Sequence, residues 1–196
     1  MSQAHSKQAQ YVSTGDPETV SDSPTKVFAV GQAGKFLTIK RPGPAGSAAG
    51  QAEDYRDHTY RYVLTDSTMS VSPYLGAVAW WADKSRYKTT TSPTASARGQ
   101  IAGIFKSAVV KGDWCFIQTA GPSTVKLVDA PTAGAVAVGQ SVIPSATAGK
   151  ADTIAVGTAP TYPTLGVIAA APGTSSPSGS AASQTWVVDL FVPEQP

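Results

Sequence analysis

RGQIAGIFKSAVVKGDWCFIQTAGP, residues 98–122, is the stretch whose reading decides the fold. Ile101, Ile104, Phe105, Val109 and Val110 supply its apolar content before a corner at Gly112 and Asp113. Trp114, Cys115, Phe116 and Ile117 then form a short, nearly continuous apolar run. A run of that length, rich in aromatic and β-branched residues and bounded by glycine, reads as a buried strand. Two strands around a tight corner are therefore expected here. The phrase has an echo downstream: VVKGDWCFIQTAGP is answered by VAVGQSVIPSATAG, with Gly112 matched by Gly139 and Phe116 by Ile143. Two copies of one strand–turn–strand phrase predict an all-β fold, a small β-barrel or β-sandwich. Jelly-roll, SH3-like and tulip-like versions all remain compatible with the pattern.

Composition agrees with this class. The chain has 196 residues, 41% of them hydrophobic and only 14% charged, with 18 glycines and 15 prolines. Low charge with abundant Gly, Pro, Ala, Ser and Thr suits a loop-rich β protein better than a helical one. At this length a chain buries roughly 70% of its unfolded surface, so no covalent staple is needed. Cys115 is the single cysteine, which excludes an intrachain disulfide, and its place between Trp114 and Phe116 predicts a buried, inert thiol. The formal net charge of +2 lacks the dense basic patch of a nucleic-acid binder. No apolar run nears the ~20 residues of a membrane helix. The first ten residues, MSQAHSKQAQ, have no apolar core of a secretory signal. Synthesis in a cytoplasm is the expectation, with neither nucleic acid nor membrane as partner.

Residues 1–26 are polar and small, and no period of two or 3.6 holds across them. They read as an extended N-terminal arm whose apolar anchors are Tyr11, Val12 and Val20. Such a segment is either a mobile terminus or an arm that orders on a partner, with a reach of roughly 80 Å at ~3.3 Å per residue. Residues 27–196 read as a single β domain, with long loops near 41–50, 92–97 and 172–184. VFAVGQAGKFLTIK (27–40) offers two short strands around GQAG. TYRYVLTD (59–66) alternates, with Tyr60, Tyr62 and Leu64 on one face and Arg61, Val63 and Thr65 on the other. Tyrosine interleaved with arginine can stack on single-stranded nucleic acid, but a half-exposed strand with cross-strand charge partners accounts for it better.

YLGAVAWWADKSRYKTTT (74–91) reads as a hairpin turning at Asp83, Lys84 and Ser85. Trp80 and Trp81 must point to opposite faces of its first strand, one inward and one outward. Together with Tyr60 and Tyr62 they are candidate interface aromatics, either for a partner or for sugar stacking; packing under a loop is the competing reading. After Pro122, STVKLVDA reads as a separate strand. TWVVDLFVP near the C-terminus is apolar enough to pair within the sheet.

Candidate chemistry is sparse. A catalytic triad needs a histidine that a third group can orient. His5 lies in the arm, and His58 beside Asp57 reads as a solvated surface residue, since neighbours on a strand face opposite ways. Zinc ligands at close spacing are lacking. Glu53, Asp54 and Asp57 lack the spacing of a calcium loop, and GQAGKF and GPAGSAAG carry no phosphate-binding fingerprint. No catalytic, cofactor or metal site is expected, and the chain reads as a non-enzyme.

GAVAWWADKSRYKTTT, RGQIAGIFKSAVVKGDWCFIQTAGP, VGQSVIPSATAGKADTI and LGVIAAA together resemble the bacteriophage head decoration, or cement, proteins. The resemblance covers roughly residues 76–171 and lies in strand-and-turn phrasing. It implies a small β-barrel virion protein on the outer surface of the phage head, made in the host bacterial cytoplasm. It further implies a homotrimer that binds the major capsid protein between capsomers and stabilises the head against internal DNA pressure. The alternative is a carbohydrate- or host-surface-binding β module of a virion.

Overall fold

Thirteen consecutive residues, Trp114–Lys126, make one strand, where the sequence pattern predicts two strands parted at Pro122. The computed structural model describes residues 58–92, 100–170 and 185–192, and the backbone of residues 36–39. Its strands are β1 (Phe36–Ile39), β2 (His58–Thr65), β3 (Val78–Asp83), β4 (Lys88–Thr90) and β5 (Ile101–Phe105). They continue as β6 (Trp114–Lys126), β7 (Ser141–Pro144), β8 (Ala151–Ile154), β9 (Gly166–Ala170) and β10 (Thr185–Phe191). One 3-10 turn, Lys84–Arg86, joins β3 to β4. The all-β expectation holds. The anchors Tyr11, Val12 and Val20, and the loops at 41–50, 93–97 and 172–184, lie outside the described residues.

Strands β2, β4, β3, β5 and β6 are hydrogen-bonded in that order, and β6 returns to β2, so the five close into a barrel. Closure depends on the parallel pair β2–β4, in which Leu64 faces Lys88 and Thr65 faces Thr89. The bonds that hold it include Leu64 N–H to Tyr87 O, Asp66 N–H to Thr89 O, and the Thr89 hydroxyl to Leu64 O. An ion pair between Lys88 and Asp66, 3.0 Å, spans the same seam.

The first half of β6, up to Gln118, runs between β2 and β5; the second half pairs with β10, from Ala120 facing Phe191 to Lys126 facing Thr185. The change of partners falls at Gly121, whose φ of +89° only glycine adopts freely, followed by Pro122, which has no N–H to leave unpaired. The fully buried Gln118 side chain donates both amide hydrogens here, to Ala120 O (3.0 Å) and Pro122 O (2.9 Å). Beyond the bend the sheet continues β6–β10–β9–β7–β8, and a parallel bridge from Leu127 to Ala151 ties its far strand back to the end of β6. Residues 106–113, expected to be strand up to the corner, are instead a loop; its turn closes with Asp113 N–H to Val110 O.

Two cores follow from this arrangement. Val63, Ala79, Trp81, Phe105, Cys115 and Ile117 fill the barrel, while Val78, Trp80, Ile104, Val142, Ile168 and Trp186 pack between the barrel wall and the second sheet. β3 is a wall shared by both cores, which explains why four of its residues in a row are buried. The two tryptophans do take opposite faces. Neither faces solvent, because one face of β3 looks into a closed barrel and the other is covered by β7–β10; Trp80 is 0% and Trp81 4% exposed.

The two halves also meet at Gly149, whose N–H donates to Thr91 O while its carbonyl accepts from Val78 N–H. A β-carbon there would lie 2.7 Å from the Tyr74 hydroxyl. Strand contacts elsewhere are equally close: a β-carbon on Gly103 would sit 2.6 Å from Gln118 O, and one on Gly166 only 2.1 Å from Asp189 O.

Gln118→Leu should therefore destabilise the protein by about 1–3 kcal/mol, because the buried Pro122 carbonyl and the part-buried Ala120 carbonyl lose their donor at the bend. Gly166→Ala should be at least as damaging, since backbone and not a flexible side chain must give way. Urea unfolding followed by tryptophan fluorescence measures both; a loss under 1 kcal/mol for Gln118→Leu would show the bend to be held by other contacts.

Candidate functional site

The groups singled out for chemistry mostly serve the fold. His58 is not a surface histidine: it is 1% exposed, and its Nδ1 lies 3.1 Å from the Tyr60 hydroxyl. The reason is tertiary, since both faces of β2 are covered. Tyr60 and Tyr62 pack with Phe116 and Trp114, with Tyr62 stacked on Trp114 at 5.1 Å, and Val63 enters the barrel. Arg61 places its guanidinium 5.5 Å from the Trp81 ring centre, the distance of a cation–π contact. The alternation read for β2 is correct, but its half-exposed character is not. All four candidate interface aromatics, Tyr60, Tyr62, Trp80 and Trp81, are at most 5% exposed and offer no stacking platform on the surface of this chain.

Cys115 is buried in the barrel core, as expected for an inert thiol. His5, Glu53, Asp54 and Asp57 lie outside the described residues. One serine sits beside an amine: Ser123 Oγ is 3.4 Å from Lys106 Nζ. A serine–lysine pair is a known nucleophile design, but Ser123 is fully buried and beyond a substrate's reach. Among the described residues no three His, Cys, Asp or Glu side chains converge as metal ligands, and no helix is long and apolar enough to cross a membrane.

What the surface does present is aliphatic side chains on rigid turns. The tripeptide Ala-Val-Gly occurs at 29–31, outside the described residues, and at 137–139 and 155–157. The two described copies form the same turn: Gln140 N–H bonds to Ala137 O and Thr158 N–H to Ala155 O, with φ +87° at Gly139 and +84° at Gly157. A positive φ at the third position is what glycine supplies to a turn of this kind. The valine at the second position then projects outward, and Val138 is 60% and Val156 74% exposed. Since Ser141 pairs with Ile154, the two turns emerge side by side at one end of the β7–β8 hairpin. A single exposed valine needs no explanation. Two in identical turns at neighbouring positions form a small, pre-organised apolar contact.

A second aliphatic set, Val71, Leu75 and Val110, lies on the loops at one end of the barrel. Lys111 Nζ to Ser70 O and Val109 N–H to Pro73 O lace those loops together. The tips were within reach of sequence reasoning, because the Gly112–Gly139 echo already marks the turn. Which turns would end up as neighbours depended on strand pairing.

The carboxylates act as clamps. At Asp83 the hydroxyl of Ser85 and the N–H groups of Ser85 and Arg86 all donate to Oδ1, and this holds the carboxyl below the usual range. At Asp66 burial pushes the carboxyl up, but hydrogen bonds from the Thr68 N–H and hydroxyl, together with Lys88, outweigh it and lower the pKa. No protein-family model matches the chain, and no curated protein matches it.

A depressed folded pKa contributes stability that is present above the unfolded value, about 3.9 for Asp, and is lost as pH falls through the folded value. The urea midpoint should accordingly drop below about pH 4, and Asp66→Asn should make that drop shallower while lowering stability at pH 7. Denaturation curves from pH 2.5 to 7 test this; parallel pH profiles for the two proteins would remove Asp66 from the account.

Proposed function

We propose that the chain is a structural protein of a bacteriophage head, a homotrimer that binds the major capsid protein on the outer surface between capsomers. There it stabilises the shell against the pressure of packaged DNA. The observation that carries this reading is the pair of Ala-Val-Gly turns, which hold Val138 and Val156 outward, side by side, on a closed and doubly cored β scaffold. Such a tip suits docking into a shallow apolar site, and a rigid scaffold loses little conformational entropy on docking.

Further support comes from the decoration-protein phrasing of residues 76–171, which supplies β3 to β9. One pair of valines is a weak contact. Three copies around an axis engage three sites at once, and effective concentration turns weak contacts into firm binding. Residues 1–26 add the grip of an arm, with Tyr11, Val12 and Val20 as anchors, laid across neighbouring capsid subunits as an added strand. A carbohydrate module stacking sugars on Tyr60, Tyr62, Trp80 or Trp81 is disfavoured, because the fold buries all four.

Co-sedimentation with phage heads from the same source tests the reading. Saturable binding is expected, weakened about tenfold or more by Val138→Asp with Val156→Asp and separately by removal of residues 1–26, with circular dichroism unchanged. Sedimentation equilibrium should give the mass of a trimer. A monomer that fails to bind heads would overturn the proposal.

A further inference from the structure

The outer face of the β7–β8 hairpin forms a groove of about 610 Å³, within the roughly 300–1,000 Å³ range of small-ligand sites. Val142 and Ala151 turn into the core, so Ile143, Asp152 and Ile154 face the other way. Ile143 and Ile154 are nevertheless only 7% exposed each. Residues 128–132 and Tyr162 rise around them, leaving an aliphatic floor with polar walls.

Two donor–acceptor pairs stand on those walls. Lys150 Nζ lies 2.6 Å from Asp129 Oδ1, with the Asp129 side chain 56% exposed. Thr132 donates its N–H to Asp152 Oδ1 at 2.8 Å and its hydroxyl to Oδ2, and Thr153 N–H also donates to Oδ1. The Asp152 carboxylate is thus locked in place before any ligand arrives.

From this geometry we infer that the groove is a binding site for a neutral saccharide, a mono- or disaccharide unit of a longer glycan. A sugar hydroxyl is at once donor and acceptor. Vicinal hydroxyls are therefore matched by an ammonium beside a carboxylate, each hydroxyl donating to one and accepting from the other. Asp129–Lys150 provides that arrangement, and the fixed Asp152 carboxylate adds a second acceptor beside it. The C–H face of a pyranose ring, apolar and flat, lies on Ile143 and Ile154 against the Tyr162 side chain. Two carboxylates against one ammonium leave the walls net negative, which favours neutral sugars over uronic acids, sulfates and phosphates. The site shares no residue with the Ala-Val-Gly turns, so a trimer bound through those turns keeps its grooves for a second contact.

The experiment is a titration of the isotope-labelled full chain with glucose, galactose, mannose, N-acetylglucosamine, maltose and glucuronate, followed by amide NMR. At least one neutral sugar should shift the Ile143, Lys150, Asp152 and Tyr162 signals saturably, and glucuronate should bind more weakly. Asp129→Ala combined with Lys150→Ala should weaken that affinity about tenfold or more, the loss expected for charge-assisted hydrogen bonds. Signals away from the groove report that the variant is folded. The inference fails if no neutral sugar moves these signals at ~50 mM, if glucuronate binds best, or if the double substitution leaves the affinity unchanged. Head co-sedimentation run on the same variant separates the two readings, because loss of sugar binding with capsid binding intact isolates the groove.

Discussion

A buried glutamine amide binds two carbonyls of its own strand at the point where that strand changes partners, and the rest of the molecule is arranged about that bend. Without the turn at Gly121 and Pro122, β6 would run on beside β2 and β5, leaving β10 no edge to join. With it, one strand serves two structures: the barrel takes its first half and the β7–β10 sheet its second. The bend leaves the Ala120 and Pro122 carbonyls, the second of them buried, to be met by a side chain. Gln118 meets both. Gly103 has no side chain for the same reason, since β5 presses against the Gln118 carbonyl from the other side.

Sharing a strand has a cost in surface chemistry. β3 becomes a partition between two cores, so Trp80 and Trp81 are both spent on packing, and the tyrosines of β2 are spent with them. Aromatic residues that would serve as anchors on an open sheet are lost to recognition. Val138 and Val156, among the most exposed aliphatic side chains, sit on turns, where glycine sets the backbone and the adjoining valine has no core to enter.

Electrostatics follow the same economy. Asp66 and Asp83 keep their charge by accepting hydrogen bonds at strand ends, and the Asp66–Lys88 pair fastens the parallel seam that closes the barrel. In contrast, the pairs Asp129–Lys150 and Asp152–Thr132 join no two barrel strands. They stand beside a groove and, with the bonds Val128 N–H to Ala151 O and Ala133 N–H to Thr153 O, also fasten the segment after β6 to β8.

Much of this was legible in the chain. The apolar runs, the alternation in β2, the hairpin at 74–91 and the Gly112–Gly139 echo established an all-β fold, because strand period and glycine turns are local properties. The C-terminal run Thr185–Phe191 was read as a paired strand and lies between β6 and β9. The errors about burial have one source. Reading one of Trp80 and Trp81 as outward, and His58 as solvated, each assumed an open sheet with one wet face. Whether a second face is wet depends on barrel closure and on what packs outside, which are long-range facts. The sequence by itself determined where strands and turns form, since backbone preference and side-chain period act over a few residues. Only the tertiary structure decided which faces reach solvent and which turns and polar pairs become neighbours, because those depend on pairings between residues far apart in the chain.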